Sequence, residues 1–263
     1  ATAGVIFQGL FKNPMADPYI IGVSSGAALG ATVAIVLQTG MGLLGFYAIP
    51  LMAFLGAMVT TLVVYRLAKV GGRIPISSLL LSGIAVGSFL TAIISFIMAS
   101  AGKDLHSVIF WLMGGFSARN WSHVKMALPF FLLGLPLALA FARDLNIMLL
   151  GEEKAQHLGI EVEQVKNILL VSASLMAAAA VSVSGLIGFV GLMTPHIVRL
   201  IVGPDHKLLL PCSALGGAIF LIVADTIARV LLAPTEIPVG VITAFFGAPF
   251  FIYLLRMKKQ ALI

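Results

Sequence analysis

Long apolar runs separated by short polar links organise this chain. No Asp, Glu, Lys or Arg occurs from Pro18 to Tyr65, from Ile74 to Gly102 or from Asn167 to Val198. About 20 apolar residues suffice to cross a bilayer core. The pattern predicts eight spanning helices, at residues 19–38, 44–66, 76–100, 122–142, 166–184, 187–202, 208–232 and 238–256. The opening stretch ATAGVIFQGLF is apolar but too short to span, and reads as the tail of a further helix whose beginning is missing. Residues 167–202 are too many for one span and barely enough for two. Gly185, Gly188 and Gly191 therefore predict a tight reversal into a short or broken helix. The segment 102–121 is too polar to span, yet it carries both tryptophans, Trp111 and Trp121, and predicts a helix lying along a membrane surface.

Composition turns this pattern into a class. Sixty per cent of the residues are hydrophobic and ten per cent charged, with a mean hydropathy of +1.11. That is more apolar surface than one soluble core of 263 residues can hide. The fold class is therefore all-α, a polytopic membrane bundle forming one domain over 1–263 with lipid as its solvent. The net charge of +6 comes from basic residues scattered between apolar runs, which form no stripe for nucleic acid. Their distribution instead sets topology. One side receives Lys12, Arg66, Lys69, Arg73, Arg143, Lys154, Lys166, Arg199, Lys207, Arg256, Lys258 and Lys259; the other receives Lys103, Arg119, Lys125 and Arg229. The positive-inside rule makes the first side cytoplasmic, the C-terminus included. Cys212, the single cysteine, excludes a disulfide framework.

Candidate chemistry is sparse. Gly22, Gly26 and Gly30 share a helix face, as do Gly83 and Gly87, which suits close backbone packing and, less directly, a path lined by small residues. Ser24, Ser25, Ser77, Ser78 and Ser82 could soften such a path, although serines in membrane helices more often bond their own backbone. Asp225 and Arg229 stand one helical turn apart and predict an ion pair, leaving Arg229 within reach of headgroups or a docked protein. His106, His123 and His196 have no second ligand at metal spacing, so no metal site is expected. No GxxxxGK[ST] loop, GxSxG or HExxH occurs. The chain should neither hydrolyse ATP nor act as an enzyme.

One region departs from this economy. From Arg143 to Lys166 lie eight charged residues, against sixteen basic and ten acidic in the whole chain. Within it, GEEKAQHLGI (151–160) reads as a short helix. Gly151 begins a turn, Glu152 and Glu153 suit a helix N-terminus, Ala155, Leu158 and Val162 fall on one face, and Gly159 ends it.

Six stretches, FKNPMADPYIIGVSSGAALG, FWLMGG, GEEKAQHLGI, GLIGFVGLMTPHIVRL, ADTIARVLL and EIPVGVITAFFGAPFFIYLL, together resemble the FecCD family, the permease subunits of ABC importers for iron-siderophores, haem and cobalamin. The resemblance runs the whole chain in order. It implies a ten-helix fold in which Ala1 falls inside the second helix, so that the first and most of the second are absent here. It implies that residues 143–166 form the cytoplasmic coupling loop, with Gly151, Glu152, Glu153, Ala155, Leu158 and Gly159 meeting an ATPase. Asn13, Met15, Ile76 and Ser77 match segments that narrow the cytoplasmic end of the path, and Arg229 matches an outer arginine that meets a binding protein. The implied assembly is two copies of this chain, two ATPase subunits that bind ATP and magnesium, and an extracytoplasmic binding protein. It sits in a prokaryotic cytoplasmic membrane, and this chain itself holds no cofactor. An ion-coupled secondary transporter with inverted repeats is the rival reading; it needs ionisable groups near mid-membrane, where only Asp225 comes close.

Overall fold

The computed structural model describes residues 1–38, 45–72 and 74–260, with the side chains of Phe46, Leu255 and 257–260 left out. Two earlier expectations fall outside it: Arg73 as a topology signal and residue 44 as the start of a span. Among the described residues there are twelve α-helices and no strand: α1 Thr2–Leu10, α2 Val23–Val36, α3 Ala48–Ala68, α4 Ile76–Ser100, α5 Leu105–Met113, α6 Trp121–Ala140, α7 Ala142–Met148, α8 Glu152–His157, α9 Val162–Ser184, α10 Val190–Val202, α11 His206–Val230 and α12 Val239–Gln260. Helices α3, α4, α6, α9 and α11 are long and apolar enough to cross a membrane alone, while α2, α10 and the apolar part of α12 are shorter. Five of the eight predicted spans thus coincide with a helix long and apolar enough to cross, and the spans at 19–38, 187–202 and 238–256 coincide with the shorter apolar helices.

The links sort to two ends. Helix α6, about 30 Å long for its 20 residues, separates α5 at one end from α7 and α8 at the other. We call these the far end and the loop end. At the loop end, Tyr65 of α3 donates to Asn167 of α9 (3.0 Å) and the backbone N–H of Ile74, before α4, donates to Glu163 (3.4 Å). At the far end, Gly115 N–H donates to the Ser184 carbonyl, Gly240 N–H to the Gly114 carbonyl, and Gln38 to Asp104. Each described basic residue lies at the end its predicted side requires.

Helices α2 and α3 approach closely because glycine removes the side chains between them. A Cβ on Gly30 would fall on the Met52 carbonyl, and one on Gly56 on the Gly26 carbonyl. Most of the glycine face on α2 is therefore packing, as small residues in a membrane interface allow. Gly83 likewise lets α4 rest on the Ile20 carbonyl. The reversal at 185–189 forms as expected, with Gly185 at φ +70 and Phe189 at φ +67 before α10 begins. Of the two tryptophans assigned to the surface, Trp121 is exposed at the start of α6, but Trp111 is buried, because α5 packs one side against the bundle.

Candidate coupling surface and transport path

The polar loop folds as a helix held at both ends. Gly151, at φ +126, turns the chain after α7, and Glu152 and Glu153 occupy the first turn of α8. Termination follows a Schellman pattern: Gly159 (φ +84) donates to the Gln156 carbonyl (2.9 Å) and Ile160 to the Ala155 carbonyl (3.0 Å). Such a conformation strains any residue but glycine. Ala155 and Val162 share a face, but that face is buried, so Ala155, expected to meet an ATPase, offers it no surface, and Leu158, expected on the same face, leaves it. Leu158 is 65 % exposed, because α8 stops at His157 and the αL turn at Gly159 rotates the chain before Val162. Glu153, Gln156, His157 and Leu158 thus form an outward surface, which Leu150 (64 % exposed) extends.

Glu152 points the other way. Its carboxylate lies 2.7 Å from the ammonium of Lys166 on α9, which also meets Glu163 at 3.3 Å. The Lys166 side chain is only 7 % exposed. Burying an ammonium is costly unless its charge is matched and hydrogen-bonded, and two carboxylates do that here.

The other flank of the loop is clamped by Asn146 on α7. Its amide donates to Asp205 (2.6 Å), while its oxygen accepts from the backbone N–H and the Nδ1 of His206 (3.0 and 2.6 Å). Asp205 caps α11 through the Lys207 N–H. That bond and the Asn146 amide hold the Asp205 carboxyl below the ordinary aspartate value. The His206 ring fills the space that Gly9 of α1 leaves, and Gln8 of α1 accepts from Arg199 of α10 at 2.8 Å. Sequence reading passed over Asn146 and Gln8, whose one signal is a lone polar side chain in or beside an apolar run, and took Lys166 only as a topology signal and part of the charged loop.

The two pairs expected to form a gate, Asn13 with Met15 and Ile76 with Ser77, lie at the loop end. Asn13 accepts from the Met15 N–H (2.9 Å), fixing the turn after α1, while Ile76 and Ser77 open α4. Among the described residues no hydrogen bond joins the pairs. Beyond them runs an open groove of about 660 Å³ between α4 and the start of α2, lined by Ser24, Ser25, Gly87, Ser88 and Thr91 among others. Ser25 and Thr91 bond the carbonyls of Gly22 and Gly87, so their hydroxyl hydrogens serve their own helices. Of the serines expected to soften the path, Ser77, Ser78 and Ser82 do not line this groove, whereas Ser88 and Thr91 do.

At the far end Arg229 makes the predicted pair with Asp225 (2.8 Å) and reaches Glu236 (3.3 Å), which in turn accepts from Ser117. A cavity of about 710 Å³ beside it is lined by Lys103, Asp104, Arg119 and Glu236 among others. Burial lowers the Arg119 guanidinium from its ordinary value. Asp17, between α1 and α2, accepts the Tyr19 N–H at 2.8 Å. No group of three or more metal-ligating side chains occurs among the described residues.

Comparison with known proteins agrees with the fold. The chain is 49% identical over 259 residues to the cobalamin import permease BtuC of Halobacterium salinarum, covering 98% of this chain and 69% of that one. It is 41% identical over 263 residues to the hemin transport permease HmuU of Yersinia pestis, covering 99% and 78%. A solved structure described as an inward-facing metal-chelate type ABC transporter superposes with a TM-score of 0.88 at 34% identity, over 98% of this chain and 81% of that one. Residues 1–257 match the FecCD transport family, and the chain belongs to it, a permease subunit of an ABC importer rather than an enzyme.

Proposed function

We propose that this permease works as a homodimer with two ATPase subunits and an extracytoplasmic binding protein, importing a metal chelate of the cobalamin or haem type across a prokaryotic cytoplasmic membrane. The loop end is cytoplasmic, the C-terminus included, and residues 143–166 are the coupling loop. The observation that carries this reading is the two-sided character of α8. Its inner side is locked by Ala155, Glu152 and the Schellman turn, while the side chains of Glu153, His157 and Leu158 face outward with no hydrogen bond or ion pair among the described residues. An exposed leucine beside charge on a fixed helix suits a protein partner better than lipid or water. ATP closure at this surface tilts the helices, so that Asn13, Met15, Ile76 and Ser77 open and close the inner end of the path. Arg229 and its far-end neighbours face the binding protein. The relatives named for cobalamin and hemin, and the neighbour named for metal chelates, support the cargo class.

One observation favours the secondary-transporter rival. Asp17 is a half-buried carboxyl beside the middle of α6 and α9, the kind of group a proton-coupled carrier uses. Against it, Asp17 already caps Tyr19 and Asp225 is held by Arg229. The test is uptake of tracer cobalamin, with haemin as competitor, into vesicles holding permease, ATPase and binding protein. Uptake driven by ATP with every ion gradient collapsed is expected; uptake that needs a proton gradient and ignores ATP would establish the rival.

A further inference from the structure

The first turn of α9 carries three connections at once. Lys166 reaches back to Glu152 on α8 at 2.7 Å and meets Glu163, one turn before it, at 3.3 Å. The second oxygen of Glu163 accepts the backbone N–H of Ile74, in the link that becomes α4 two residues later. Beside them, Asn167 accepts from Tyr65 near the end of α3. Helix α8 and the start of α4 therefore share no covalent neighbourhood, yet both are fastened to one buried ammonium and the carboxylate next to it.

We infer that Lys166 is a positioning residue that transmits displacement of α8 to the first turn of α4, and so to Ile76 and Ser77. This rests on the proposed coupling role of α8. The physical reason lies in the chemistry of the joint. An apolar side chain at position 166 would offer no directional tie to Glu152 or Glu163, so α8 could slide over it. A lysine bonded on both sides cannot release Glu152 without leaving a buried charge half-matched, so movement of α8 pulls on α9's first turn and, through Glu163, on Ile74. The polar surface that meets the partner, Glu153 to Leu158, is separate from this joint, so docking and transmission can be broken independently.

The test uses the complete assembly in proteoliposomes, in a Cys212→Ser background. Two reporters are introduced: Gln156→Cys, on the exposed surface of α8, crosslinked to the ATPase, and Ser77→Cys, whose labelling by a water-soluble maleimide is timed with and without ATP and vanadate. In the parent, ATP is expected to change the Ser77→Cys labelling rate several-fold. With Lys166→Met the crosslink and ATP hydrolysis persist while that change falls by half or more; Lys166→Arg, which keeps the charge and both bonds, restores it. Glu152→Gln, which leaves Lys166 paired with Glu163 and so preserves the fold, gives the same direction of loss and decides the question if Lys166→Met does not assemble. A full ATP-driven change in Lys166→Met, or in Glu152→Gln where the methionine variant fails, overturns the inference. Absence of the Gln156→Cys crosslink in the parent instead overturns the coupling role of α8, a failure visible before any Lys166 variant is made.

Discussion

Helices α2 and α3 meet backbone to backbone, whereas α8 meets α9 through a lysine and two carboxylates. The first joint has no side chain to spare. Gly26, Gly30 and Gly56 bring carbonyls against the opposing helix, so the pair behaves as one body and any added atom must displace main chain. The second joint is made of long side chains whose charges stay matched only while Glu152 and Glu163 both hold Lys166, so displacement on one side is carried to the other. The contrast teaches where this bundle is built to resist movement and where it can pass movement on. The close-packed pair is the frame, and the charged joint sits under the surface we propose for ATPase docking.

The sharpest way to break the contrast is to put a side chain into the frame. Gly30→Leu should cost about 3 kcal/mol or more, since the new carbons meet the Met52 carbonyl rather than a yielding side chain. Size-exclusion and thermal unfolding of the purified permease should show loss of the monodisperse species. Gly87→Ala, which meets only the Ser25 hydroxyl at 3.5 Å, is the matched control and should remain monodisperse.

Next in size is the exposed surface of α8. Leu158→Asp should weaken ATPase binding roughly tenfold, about 1.4 kcal/mol, with no change in unfolding temperature, because the side chain is largely in solvent. Glu153→Trp should uncouple ATP hydrolysis from uptake; a titration of labelled ATPase and paired hydrolysis and uptake assays check the two. Unchanged behaviour of both variants would count against the surface as the docking site.

The far end offers a smaller effect. Arg229→Glu should slow association of the binding protein several-fold at low salt and hardly at all at high salt, since an exposed charge acts mainly through long-range attraction. Stopped-flow association at two ionic strengths measures it. The stability change should be only about 0.5 kcal/mol, the scale of an exposed helical ion pair.

The smallest effect concerns the clamp on the other flank of the loop. The Asp205 carboxyl is held below its ordinary value by the Lys207 N–H and the Asn146 amide. A depressed carboxyl stabilises the fold fully above its unfolded pKa, and that contribution fades as pH falls through the lower folded value. Asp205→Asn should therefore lower the unfolding temperature slightly near neutral pH and bring parent and variant together in acid. A thermal series from pH 7 downward checks the convergence.

Much of the frame could be read from the chain because lipid imposes a simple rule: a charge-free stretch of sufficient length becomes a helix. The ends of α8 were equally readable, since Gly151 and Gly159 adopt conformations that other residues avoid. The Asp225–Arg229 pair followed from spacing on one helix. What spacing could not give was anything joining distant segments. Leu158 was placed with Ala155 and Val162 by periodicity, and the αL turn at Gly159 broke that period. Lys166 counted as a topology signal and Glu152 as a partner contact, yet fourteen residues and a turn apart they bond each other. Gln8 and Arg199, or Asn146 and His206, meet only after the helices have packed.

Hydrogen exchange along the permease, with and without its ATPase subunits, tests most directly that α8 is the handle by which the motor acts. Protection is predicted at Glu153–Gly159 on addition of the ATPase, with α5 at the far end unchanged. Equal exchange across 151–160 in both states, under conditions where the ATPase is bound, would contradict the account.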